Sequence, residues 1–112
     1  MICDVQGEAD WGPYTSQVQD VQHKIEKMTG DCSVPGGPRV CSVIACNHYY
    51  AGAWLCNDND TPITLPCNSL ASYVQDIIDQ CGTPYIHGHK TTRGQEFDDG
   101  NWNVIAGWKN SC

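Results

Sequence analysis

Eight cysteines, at positions 3, 32, 41, 46, 56, 67, 81 and 112, constrain the fold of this 112-residue chain more than any other feature. The count is even and the residues span the chain. No C-x-x-C pair occurs, the shortest gap being Cys41 to Cys46, so a disulfide framework explains them better than zinc ligation. Four bridges at about 2–4 kcal/mol each suit a single domain, residues 1–112, whose core alone leaves it marginal. Such a framework belongs to an oxidising compartment, which predicts a secreted, extracellular protein.

Six basic and thirteen acidic residues give a net charge of −7. A phosphate backbone would be repelled, so nucleic acid is not the expected partner. No run approaches the roughly 20 apolar residues of a membrane span. The first residues lack the basic start and apolar stretch of a signal peptide, so the expectation for a secreted protein is that its signal has been removed, with Met1 as an expression start.

Two segments carry a helical period. In TSQVQDVQHKIEKMTG (15–30), Val18, Val21, Ile25 and Met28 recur at three and four, with Ser16 and Gln19 as a capping box and Gly30 as the stop. In CNSLASYVQDIIDQCG (67–82) the stripe is Leu70, Val74, Ile77, Ile78 and Cys81, capped by Asn68 or Ser69 and stopped at Gly82. RVCSVIAC (39–46) and AGAWLC (51–56) read as a hairpin across NHYY, entered through the rigid turn PGGP (35–38). TPYIHGH (83–89) and NWNVIAGW (101–108) read as two more strands, Asp99-Gly100 marking a turn and Trp102, Val104, Ala106 and Trp108 sharing one face. ICDVQ (2–6) is a short fifth strand. The order predicts an α+β two-layer sandwich, a mostly antiparallel sheet of about five strands with both helices on one face.

With those elements placed, the chain resembles the killer toxins encoded by viruses of smut fungi and their secreted fungal relatives. The likeness rests on an N-terminal strand near Cys3, RVC (39–41) opening the central strand, Cys67 and Cys81 bounding the second helix, TTRGQ (91–95), and NSC at the end. It implies a secreted fungal toxin or effector that acts by binding, without enzymatic activity or cofactor. In the family, growth inhibition is attributed to interference with calcium uptake through voltage-gated channels, so the implied partner is a membrane channel or a cell-surface or host protein, met by a monomer. The family's important basic residue stands two positions before the central cysteine, which is Arg39 here. Arg93 and Lys90 complete the candidate binding residues. Matching cysteines by element suggests Cys3–Cys81, Cys32–Cys67, Cys46–Cys56 and Cys41–Cys112, one of 105 possible arrangements. The chain departs from the toxin in being acidic and in having one disulfide fewer, with Trp11 and Tyr14 near the missing cysteine.

Other constellations are weaker. His87 and His89 lie two apart, as a metal pair on a strand would, but need a third ligand such as Asp98 or Asp99, and no metal is expected. His48, His89, Arg93 and Glu96 are the residue types of a small secreted ribonuclease, the enzymatic alternative. DND (58–60) lacks the glycine and distal glutamate of a calcium loop and reads as a solvated loop. Asn59 heads a sequon, but Pro62 follows it. Tyr49, Tyr50, Trp54, Trp102 and Trp108 read as core and sheet surface; exposure of several on one face would favour a wall-binding module.

Overall fold

The computed structural model describes residues 1–3, 12–82 and 90–112. Its elements run α1 (Thr15–Glu26), β1 (Asp31–Val34), β2 (Val40–Cys46), β3 (Ala51–Asn57), β4 (Ile63–Pro66), a 3-10 turn (Cys67–Leu70), α2 (Ala71–Cys81), β5 (Gly94–Asp98) and β6 (Trp102–Trp108). The α+β class holds, but the single five-stranded sheet does not. Four antiparallel strands in the order β2-β3-β6-β5 form the main sheet, and β1 pairs with β4 in a separate two-stranded ribbon. From the N-terminal stretch, Ile2 makes one bridge to Gln95 at the β5 edge, and residues 4–6 lie outside the described region, as does all of TPYIHGH. The partner of β6 is instead β5, through the Asp99-Gly100 turn, where the Gly100 N–H bonds the Asp98 carboxylate at 2.7 Å.

Alternation sorts the main sheet into two faces. Ala53 and Leu55 on β3 pair with Ala106 and Val104 on β6, and all four are at most 1% exposed. Onto this face pack Val18, Val21 and Ile25 of α1, together with Val74, Ile77 and Ile78 of α2. The expected stripes are therefore the buried ones. Gly94 lies at the closest approach, since a Cβ there would sit 2.9 Å from both Cys81 Sγ and Ile77 Cγ2.

The helix starts differ from the expected caps. Tyr14 occupies the α1 N-cap position, and Ser16 makes no capping bond. The Thr15 N–H instead bonds the Lys90 carbonyl at 2.8 Å and its hydroxyl meets that of Thr92, so a neighbouring segment satisfies the end that a box would have served. Likewise α2 has no side-chain cap, because the 3-10 turn precedes it and the Ser69 hydroxyl donates to the Pro66 carbonyl.

All eight cysteines are paired. Cys3–Cys81 and Cys32–Cys67 form as expected, but the other four exchange partners to give Cys41–Cys56 and Cys46–Cys112. Register explains the exchange. The β2–β3 hairpin sets Cys41 directly opposite Cys56, with Cα atoms 4.0 Å apart, whereas Cys46 faces Gly52. The C-terminal tail must cross β3 to reach β2 from β6, and Gly52 marks the crossing, where a Cβ would come within 2.9 Å of Lys109 Cβ. The Lys109 N–H bonds the Tyr50 carbonyl at 2.9 Å, and Cys112 then closes on Cys46.

Candidate functional site

Where the helices cover one face of the main sheet, the described residues leave much of the other open. Two cross-strand rows build it. Val43, Trp54, Ile105 and Gln95 form one, and Cys41, Cys56, Asn103 and Phe97 the next. Val43 is 45% exposed and Phe97 50%. Beside them a groove of about 630 Å³ is lined by Pro38, Arg39, the Cys41–Cys56 bridge, Asp58, Gln95, Phe97, Asn103 and Ile105. The volume lies in the range of small-molecule sites.

Arg39 stands at one rim, in the turn just before β2. Its φ of 63° is a left-handed conformation that residues other than glycine adopt at a cost of about 1–3 kcal/mol. A hydrogen-bonded junction ties down the turn before it. Asn57, fully buried, donates to the carbonyls of Pro35 and Thr61 at 3.0 and 2.9 Å, and its own carbonyl accepts from the Asn59 N–H. The Asn59 carbonyl accepts from Gly37 N–H, while its amide donates to the carbonyls of Gly100 and Asn101. The DND stretch is thus less a solvated loop than the tie between the PGGP turn, the β3 end and the β5–β6 turn. The same bonds engage the Asn59 amide that a sequon would modify.

On the groove wall, Gln95 Nε2 donates to Asn103 Oδ1 at 2.8 Å, and Asn103 Nδ2 donates to the Asp58 carboxylate at 3.2 Å. Asn103 is 2% exposed, so this chain of polar groups is built into the surface rather than draped on it. Sequence reasoning missed Gln95, Phe97 and Asn103, since only the inward residues of β6 were counted. The alternation that placed Trp102 and Val104 inside also puts Asn103 and Ile105 outside.

The other candidates do not converge here. Arg93 is 6% exposed and Lys90 is exposed, and neither lines the groove. His48 is exposed at the β2–β3 tip, while Glu96 pairs with Val104 on the helix-covered face two strands away, so the described members of the nuclease set are not brought together. His87 and His89 lie outside the described residues, and among those described no three His, Cys, Asp or Glu groups gather as metal ligands. Asp98, a candidate third ligand, accepts a 2.5 Å bond from the Tyr73 hydroxyl, which holds its carboxyl below the usual range, the Gly100 N–H helping. Of the aromatics, Tyr49 and Tyr50 are exposed at the hairpin tip, the Tyr50 ring meeting that of Trp108 at a tilt with centroids 6.0 Å apart, whereas Trp102 is buried against Tyr73.

Comparison of the chain with protein-family models, with curated proteins and with solved structures finds no match. No helix among the described residues is long and apolar enough to cross a membrane.

Proposed function

We propose that this is a secreted, killer-toxin-like effector that acts by binding, using the open sheet face around Arg39 to engage a surface target on a competitor or host cell, a calcium channel being the target the resemblance implies. One observation carries the reading. Arg39 takes a left-handed conformation at the rim of the open groove, at the end of a turn that Asn57 and Asn59 tie down at Pro35 and Gly37. Backbone strain at an exposed charged residue beside a groove supports a functional use for it. A guanidinium stays ionised and offers a planar fork of donors, suited to a carboxylate or carbonyl on the partner. Four disulfides fit an extracellular life.

The test is growth of fungal cultures and plant seedlings exposed to the purified protein, with and without added calcium. Wild-type protein should inhibit, calcium should relieve the inhibition, and Arg39→Ala should weaken it about tenfold while folding normally. Absence of inhibition in every target, or full activity of Arg39→Ala, would remove the reading.

A further inference from the structure

The groove beside Arg39 is more specific in its chemistry than a general protein-binding surface. We propose that it is a carbohydrate subsite, taking a neutral β-linked pyranose oligosaccharide of the kind found in cell walls, with Phe97 as the stacking platform, Gln95 and Asp58 as the hydroxyl-reading groups, and the buried Asn103 as the positioning residue that ties the two together. The inference rests on the reading of this face as the recognition surface and names a ligand class for it.

Three observations point to such a ligand. The first is the Gln95–Asn103–Asp58 ladder itself. A hydroxyl both donates and accepts, and it is best met by groups that do the same or that complement one another at fixed positions. An amide side chain has two N–H donors and a carbonyl with two lone pairs, and a carboxylate accepts several bonds. The Gln95–Asn103–Asp58 chain uses only part of that capacity in its own two bonds, at 2.8 and 3.2 Å. Those bonds fix the orientation of each group before a ligand arrives, which lowers the ordering cost of binding.

The second is the platform. Phe97 is the cross-strand neighbour of Asn103 and lies two residues from Gln95 on the same strand, so a half-exposed aromatic face borders the polar ladder. The axial C–H groups of a β-pyranose present an apolar face to such a ring while the equatorial hydroxyls reach sideways to polar groups. Ile105 supplies an apolar floor between them.

Charge and size supply the third. Arg39 and Asp58 both line the groove, which gives it no net charge to attract an ion, and the chain carries −7 overall, which disfavours anionic polymers. From Phe97 on β5 to the Arg39 end of β2 the sheet spans three strand spacings, about 14 Å, longer than a single sugar ring and suited to a short oligomer. An apolar peptide would strand the ladder unpaired, and an acidic one would meet Asp58. A wall glycan bound here would hold the protein at the cell surface where its target lies.

The test is a titration of the isotope-labelled full chain with cellohexaose, laminarihexaose and chitohexaose, followed by amide and side-chain NMR shifts, with an oligogalacturonate as the anionic control. At least one neutral oligomer should shift Gln95, Phe97, Asn103 and Ile105 together, and the control should not. Phe97→Ala, at a half-exposed position where little core is lost, should weaken that binding about tenfold. Shifts absent with all three oligomers, confined to the Tyr49–Tyr50 tip, or unchanged by Phe97→Ala would overturn the subsite. Growth inhibition that needs Arg39 without any sugar shift would sink the sugar subsite and leave the effector reading standing; sugar shifts without inhibition would do the reverse.

Discussion

Glu96 gives the fold a dependence on pH that can be worked out in sign and size. It points from β5 into the seam with α2, where its Oε2 is buried without a hydrogen-bond partner. Burial first, and then a hydrogen bond and the charge of Asp76, push its carboxyl up to about 7; Asp98 adds to the rise and the N-terminal amine opposes it. A carboxyl raised in this way keeps its proton in the folded chain over a range where the unfolded chain has lost it. Stability is therefore fully present below the ordinary value of 4.5 and falls as pH climbs toward about 7. At 1.36 kcal/mol per pH unit that window is worth at most about 3 kcal/mol, and water reaching the half-buried side chain screens it to about 1–2 kcal/mol.

Thermal melts from pH 4.5 to 8 would read this directly. For a domain of this size the loss corresponds to a fall in Tm of roughly 4–8 °C between pH 5 and pH 8. Glu96→Gln imitates the protonated carboxyl, since its amide can donate to Asp76, and should abolish that fall while leaving the acid-side Tm unchanged. Tyr73→Phe is the internal control. The Tyr73 hydroxyl is pushed up to about 12, chiefly by its bond to Asp98, so its contribution disappears only as pH rises from 10 toward 12. The Asp98 contribution disappears only as pH falls below its ordinary 3.8. Tyr73→Phe should lower both limbs and keep the slope between 5 and 7. An unaltered slope in Glu96→Gln would refute the argument.

Two further substitutions probe the supports of the site. Gly52→Ala sets a Cβ 2.9 Å from that of Lys109 and should lift the tail from β3, raising amide exchange at Lys109 about tenfold; unchanged exchange would show that the strap does not depend on that glycine. Asn57→Ala removes a fully buried side chain and leaves the carbonyls of Pro35 and Thr61 without their donor, with an expected loss of about 2 kcal/mol in denaturant unfolding, and a loss below about 0.5 kcal/mol would show the junction to be dispensable.

What the sequence made legible follows from the range of each signal. The two helices were readable because their apolar period is local and repeats over three turns, and Val18, Val21, Ile25, Val74 and Ile77 all reach the core. Strand β6 was readable by its period of two, and β2 and β3 by an apolar run followed across NHYY by a second one. The β1–β4 ribbon was not, since each strand is only four residues long and its partner lies about thirty residues away, where the Cys32–Cys67 bridge and a Ser33–Thr64 hydroxyl contact help hold it. Arg39 was named only through the family resemblance, and Pro35 and Pro38 mark the turn it stands in. Gln95, Phe97 and Asn103 were not found, because their meaning comes from register between β5 and β6 rather than from any spacing along the chain.

The cysteine exchange shows how register overrides proximity in sequence. Cys46 and Cys56 flank the hairpin loop, which makes them look like a clasp. Yet an antiparallel pair counts outward from its turn, so the partner of Cys46 lies one step past the loop, at Gly52, and Cys56 has already run down the strand to meet Cys41. The outcome places one bridge in the groove wall and frees Cys46 to receive the tail. Had Cys41 taken Cys112, the tail would have had to reach the groove end of β2, past Trp54 and Ile105 on the open face. Tethered at Cys46 instead, it crosses at the glycine near the opposite end of the sheet, and the face that carries Arg39 and Phe97 stays open.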